Sequence, residues 1–382
     1  MTSAISIGKQ DFASLRENHY FYVDKTDFIR QWWESGDDIT LITRPRRFGK
    51  TLNMSMLNCF FSRQYAEKGT IFEGLFIWKQ EKYRRLQGTY PVIFLSFADV
   101  KQNNYQDAVQ KIKNIIVDAY RQHRYLEQEE CFTQNEKQQM LEITEKMSNV
   151  TAQDALKNLS SYLNLLYGKK VLIFLDEYDT PMQEAYIHGY WDEFVGFMRS
   201  LFNATFKTNP YLERAVMTGI TRISKESVFS DLNNLTVITT TSDAYADCFG
   251  FTEEEVFQSL DQFGMPEKKD LVKQWYDGFC FGTHRDIYNP WSITNYLKEK
   301  KLRPYWASVN MKEELEKLIN RQQIVVNFDE QIIFGQLEQD ESAVWSLLVA
   351  SGYLKVEEIE YRGLTLEPWY SLSITNLETV SM

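Results

Sequence analysis

Four short apolar runs, each bounded by turn signals and followed by a longer stretch with helical spacing, constrain this chain more than any other feature. They fall at residues 39–43, 92–98, 171–175 and 215–220, and a fifth strand-like run covers 235–240. Strands that are apolar throughout are buried on both faces, and their alternation with helices is the signature of a mainly parallel sheet covered by helices. An α/β fold is therefore expected. Hydrophobic residues make up 43% of 382, enough to fill a sizeable core, and the length suits two domains or one large domain with an appendage. Between the second and third runs lies a polar, Gln/Glu/Lys-rich stretch without Pro or Gly. It reads as exposed helices, a candidate lid, inside a helical insertion at about 102–165.

The character of the chain changes near Gly250. Thr252 followed by three glutamates has the form of a helix N-cap with acids in the first turn. From there the sequence reads as helices, including 310–321 and 341–351, then two strand-like runs, 353–361 and 365–374, flanking Arg362-Gly363-Leu364. An α/β core over 1–250 and a helical, winged-helix-like region over 251–382 are the expected units. The four cysteines are scattered without metal-ligand spacing, so a zinc site or disulfide framework is not expected. No run approaches 18 apolar residues, and the first residues lack a basic and then apolar leader pattern, so a soluble, cytoplasmic protein without a membrane partner is expected. With 53 acidic and 42 basic side chains the net charge is −11, which argues against general attraction to nucleic acid or anionic lipid.

One stretch breaks that charge pattern. Residues 41–52 run from an apolar strand through Arg44-Pro45-Arg46-Arg47-Phe48 into Gly49-Lys50-Thr51-Leu52 and a helical pattern, with no acid from 39 to 62. A phosphate-binding loop needs this strand–loop–helix context. Backbone N–H groups and the helix N-terminus would face a phosphate, Lys50 would reach the β- and γ-phosphates, and Thr51 would ligate Mg²⁺. The pattern G-x-x-x-x-G-K-[ST] is met at its last three positions, with Arg44 in place of the first glycine.

Two further strand ends carry polar groups. Leu175-Asp176-Glu177-Tyr178-Asp179 places carboxylates where ligands of open α/β sheets bind. Asp176 would hold Mg²⁺ through water, and Glu177 would orient and deprotonate the attacking water. Asp179 either assists there or caps the helix that contains Pro181. In Thr218-Gly219-Ile220-Thr221-Arg222, a hydroxyl or a cation would sense the γ-phosphate. Arg222 is the stronger candidate because a guanidinium stabilises spreading phosphoryl charge, and a salt bridge or a surface position is the alternative.

On these motifs the chain resembles the bacterial AAA-ATPase-like family, whose members often carry a C-terminal PD-(D/E)XK nuclease domain. The likeness rests on Phe21-Tyr22-Val23-Asp24-Lys25-Thr26, on the loop from Arg44 to Leu52, and on the segments that end at Asp179 and Arg222. It continues through Trp275-Tyr276-Asp277-Gly278, Tyr288-Asn289-Pro290-Trp291-Ser292 and Gly352-Tyr353-Leu354, and so spans nearly the whole chain. The resemblance implies an additional-strand P-loop ATPase core. In it Arg46, Arg47, Phe48, Gly49, Lys50, Thr51 and Leu52 form the nucleotide-binding Walker A loop, and Asp176 with Glu177 forms Walker B. Asp24-Lys25-Thr26 would lie near the adenine or close the site, or it is a turn that caps the helix beginning near Asp27. The Trp275 and Tyr288 segments read as buried turns rather than a base-stacking surface. Family members commonly run on past residue 376 into the nuclease. After residue 340 this sequence has no acidic-x-Lys triplet, so phosphodiester cleavage by such a site is not expected of it.

The expected function is Mg²⁺-dependent binding and hydrolysis of ATP, with nucleotide state controlling the C-terminal region. Glu177, Lys50 and Arg222 are the catalytic candidates, and Thr51 and Asp176 the metal ligands. The alternative is a non-hydrolysing nucleotide-dependent switch or scaffold that regulates a nuclease or binds nucleic acid. For the latter, Lys298, Lys300, Lys301 and Arg303 supply a short basic stretch that otherwise reads as a solvated helix end. Self-association, with Arg222 acting within its own subunit or across an interface, stays open.

Overall fold

The computed structural model describes residues 3–223, 229, 232–306, 324–332 and 341–381. Strands β1 (Ile39–Thr43), β2 (Val92–Ser96), β3 (Val171–Asp176), β4 (Leu212–Gly219) and β6 (Leu235–Ile238) form a five-stranded sheet in the order β2-β3-β4-β1-β6. A two-residue strand, β5 (Arg222–Ile223), follows β4 outside that sheet. All four pairings are parallel, and Met217 of β4 lies beside Leu41 of β1 on one side and Leu175 of β3 on the other. The strand bearing the loop and the strand bearing the carboxylates are thus separated by β4. Their C-terminal ends share one edge of the sheet.

Period-two alternation sends each strand's side chains to two cores. Ile39, Leu41, Ile173, Leu175 and Met217 belong to one, and Ile42, Leu172, Phe174 and Val216 to the other. The N-terminal helices α1 (Phe12–Glu17) and α2 (Asp27–Ser35), with α3 (Lys50–Phe61), supply the second core with Phe12, Phe28, Trp32, Phe60 and Phe61. A short α4 (Glu81–Arg84) precedes β2. The first core is closed by α5 (Tyr105–Gln122), α6 (Gln134–Leu141), α7 (Asn149–Tyr167), α8 (Thr180–Ile187) and α9 (Trp191–Phe202).

The polar stretch expected to be an exposed lid is instead a structural cover. Ala108, Val109, Ile112, Ile116, Val117 and Ala119 of α5 are all buried. Their helical spacing is an apolar stripe that the surrounding Gln, Glu and Lys obscure when composition is averaged over the stretch.

After Gly250 come β7 (Phe251–Thr252), α10 (Glu253–Gln262), α11 (Lys269–Tyr276), β8 (Asp277–Phe281), β9 (His284–Tyr288) and α12 (Pro290–Glu299). Thr252 caps α10 in a reciprocal box with Glu255, as its sequence requires. The strands pair antiparallel in the order β7-β9-β8. Further on lie β10 (Ile324–Val326), β11 (Gln331–Ile332), α13 (Glu341–Ser351), the hairpin of β12 (Leu354–Arg362) and β13 (Glu367–Ile374), and a terminal turn α14 (Leu377–Val380). The helix expected at 310–321 lies outside the described residues. β11 pairs with β5, which stitches this region back onto the segment that follows β4.

Candidate functional site

The loop between β1 and α3 turns through two left-handed residues, Arg47 (φ 69°) and Gly49 (φ 79°). Gly49 removes the steric penalty at the second, directly before the first helical residue, Lys50. The Lys50 ammonium is buried and donates to the carbonyls of Arg44 and Pro45, both at 2.9 Å. Burial pulls its pKa down, and the Asp176, Asp179 and Glu177 carboxylates oppose that pull.

Arg44 faces away from the cleft. Its fully buried guanidinium donates to the backbone carbonyls of Thr43, Thr239 and Ala244 and lies 4.5 Å over the Phe281 ring. Burial lowers its pKa to about 9. The side chain that replaces the motif's first glycine therefore fastens the start of the loop to the segment after β6.

At the end of β3, Asp176 is buried and accepts a short hydrogen bond from Thr218 through Oδ1. Its Oδ2 is buried without a hydrogen-bond partner. Burial raises the pKa, and the Thr218 and Thr51 hydroxyls partly offset that rise. A buried carboxylate oxygen left unmatched beside a threonine hydroxyl is a hard-oxygen donor pair that fits a divalent cation such as Mg²⁺. Glu177 adopts the left-handed region (φ 52°), unusual for a non-glycine residue, and its carboxylate accepts from Thr180 Oγ1 at 3.0 Å.

Asp179 caps nothing. No cap hydrogen bond runs from its side chain to α8, and Oδ2 instead accepts from the N–H groups of Ile220 and Thr221, from Thr221 Oγ1 and from Gln183. Tyr178 works beside it. Its hydroxyl donates to the Thr221 carbonyl at 2.7 Å and accepts from the Ile223 N–H. The segment after β3 therefore grips the segment after β4 at several points. Gly219 allows the approach, since a Cβ there would lie 2.6 Å from Asp179 Oδ1 and 2.7 Å from the Tyr178 ring.

The region after Gly250 holds the loop along its length. The Arg46 carbonyl accepts from Trp306 Nε1 at 2.9 Å and from Asn289 Nδ2 at 3.3 Å. The Arg47 guanidinium lies 4.1 Å over the Trp291 ring. Phe48 is buried against Phe279 and Phe281, with centroids at 4.7 and 5.3 Å. Lys25 bridges the N-terminal segment to α10 through Glu255 at 2.6 Å and also donates to the Asp247 carbonyl. Asp24 accepts from Thr26 and Phe76 N–H groups, so this element is a bonded turn before α2.

These pieces surround a cleft of about 480 Å³. Arg46, Arg47, Phe48, Gly49, Lys50, Thr51, Leu52 and Glu177 line it, as do Lys25 and Ile220. Asp176 and Arg222 are not among the lining residues: Asp176 is buried at the end of β3, directly before Glu177, and Arg222 lies half-buried in β5. Sequence reasoning missed Lys101, Thr180, Gln183 and Trp291 on its walls. Lys101, Thr180 and Gln183 lie just beyond the C-terminal ends of β2 and β3, and that position is the signal that would have found them.

No helix among the described residues is long and apolar enough to cross a membrane. An uncharacterized protein from the vnfD 5' region of Azotobacter chroococcum mcd 1 is 27% identical over 385 residues, covering 98% of this chain and 68% of that protein. A family model described as a predicted AAA-ATPase matches residues 6–229, which take in the whole five-strand edge except β6 together with the loop and both acidic and threonine-bearing segments. The chain belongs to this AAA-ATPase-like family.

Proposed function

We propose that the cleft binds ATP with Mg²⁺ and hydrolyses it, and that its nucleotide state is transmitted to the region after Gly250. The observation that carries this reading is the unmatched Oδ2 of buried Asp176 beside Thr51, at the sheet edge where Lys50 begins α3. The strand order, with β4 between β1 and β3, supports an additional-strand P-loop ATPase core in particular.

In this reading the Gly49 turn and the N-terminus of α3 present N–H groups to the phosphates. Lys50 exchanges the carbonyls of Arg44 and Pro45 for phosphate oxygens. Thr51 and Asp176 would hold Mg²⁺, which would supply positive charge to offset that of the β- and γ-phosphates. Glu177 orients a water and takes its proton, and the hydrogen bond from Thr180 fixes that carboxylate between turnovers. Thr218 keeps Asp176 turned toward Thr51. Arg222 lies two residues beyond the cleft wall at Ile220, and we assign it to stabilising phosphoryl charge.

Coupling to the C-terminal region is supported by the contacts that Trp306, Asn289, Trp291 and Phe279 make with the loop. The packing of Leu348 and Val349 of α13 with Leu354, Tyr370 and Leu372 of the hairpin supports a winged-helix-like unit there. We place the unit boundary near Gly250 and assign the protein to the cytoplasm.

Single-turnover hydrolysis of ATP tests the reading. The wild type should release phosphate, Lys50→Ala should fail to bind ATP, and Glu177→Gln should bind it with turnover reduced about 100-fold or more. Equal turnover in the three proteins would sink the enzymatic reading. ATP binding without any turnover would leave a nucleotide-dependent switch.

A further inference from the structure

Trp291 belongs to a turn whose aromatics read as core, yet its ring forms part of the cleft wall. The ring is fixed from several sides. Its backbone N–H is held by Asn289 Oδ1 at 2.9 Å at the start of α12, and its Nε1 donates to the Tyr305 carbonyl at 3.1 Å. Asn289 also donates to the Arg46 carbonyl, which ties the same turn to the residue preceding Arg47 in the loop.

Over this rigid ring, at 4.1 Å, sits the Arg47 guanidinium. Arg47 is exposed, lines the cleft, and makes no hydrogen bond or ion pair with the described residues. A guanidinium attracted to an aromatic face uses its own face for that contact and keeps its in-plane N–H donors for an anion. A long flexible side chain restrained in this way loses less entropy when it engages a ligand.

We propose that Trp291 is a positioning residue of the polyphosphate site: contributed by the region after Gly250, it holds Arg47 so that the guanidinium donors face the phosphate chain. This rests on the reading of the cleft as a nucleotide site. It makes that site a composite of both parts of the chain, so that ATP affinity depends on a side chain 244 residues away from the Arg47 that it holds.

The test is a binding titration of the full chain with ATP, inorganic tripolyphosphate and adenosine, each with Mg²⁺. Trp291→Leu should weaken ATP and tripolyphosphate about 2- to 30-fold, the range a cation–π contact spans, and leave adenosine unchanged. Trp291→Phe should recover most of the loss. Arg47→Ala, a change at an exposed position, should produce at least as large a loss, and Trp291→Leu added to it should cost nothing more. The proposal is overturned if folded Trp291→Leu binds tripolyphosphate like the wild type, if it loses adenosine equally, or if the two losses add. A wild type that binds neither ATP nor tripolyphosphate, with Lys50→Ala indistinguishable from it, overturns the nucleotide reading itself and this proposal with it.

Discussion

Arg44 sits where a nucleotide-binding loop usually has a glycine, and it does work that glycine cannot. Its guanidinium satisfies the carbonyls of Thr43, Thr239 and Ala244 in a site closed to water. Arg44→Gly would complete the G-x-x-x-x-G-K-T pattern yet should destabilise the protein by about 2–4 kcal/mol, because buried acceptors lose their donors. Urea unfolding measures this, and an unchanged midpoint would contradict it. Asp277 gives a second prediction at this scale. Burial and the neighbouring Asp286 carboxylate push its pKa from the usual range up to about 7. A raised carboxylate pKa means that the folded state holds the proton more tightly, so this contribution is complete below about pH 4 and is lost as pH rises through 7. Asp277→Asn should therefore flatten the decline in melting temperature between pH 4 and 8 and leave the variant more stable than the wild type at the upper end. A parallel decline in both proteins would contradict the assignment.

At the scale of elements, the site is an agreement between strand ends. The segment after β3 binds the segment after β4 through Asp179 and Tyr178, and Gly219 leaves the space that the contact needs. Gly219→Ala should cost about 1–3 kcal/mol and lower turnover as well, since the displaced groups follow Asp176 and Glu177 directly. Chemical denaturation and single-turnover kinetics together check this, and a neutral substitution would show that the segments yield easily. Much of this level was legible in the sequence. Short, largely apolar runs marked β1 to β4 and β6, and the polar residues at their ends marked the cleft. Local pattern did not reveal how those ends pair. Asp179 has the spacing of a helix cap, and only the neighbouring strand supplies the N–H groups it prefers. The stripe on α5 was hidden for a different reason, because Gln and Lys dominate any average over the stretch although the buried positions recur every three to four residues.

At the scale of the whole molecule, the loop belongs to two bodies. Residues 46–52 line the cleft, and the Arg46 carbonyl and Phe48 are held by residues after Gly250. No pattern within a short window could show that Trp306 and Asn289 share one carbonyl of Arg46, since 260 and 243 residues separate them from it. Phe48→Ala should cost about 3–5 kcal/mol by leaving a cavity among Phe279, Phe281 and Ile287. It should also loosen the link between ATP and the C-terminal region, read as a smaller ATP-induced change in proteolysis after residue 250. In the proposed function, nucleotide bound at the loop is felt by that region. The most direct measurement is amide hydrogen exchange with and without ATP and Mg²⁺ in the wild type and in Lys50→Ala. Slower exchange in residues 277–306 as well as 41–52 of the wild type, absent in Lys50→Ala, is the predicted result. Protection confined to residues 41–52, with 277–306 unchanged, would contradict it.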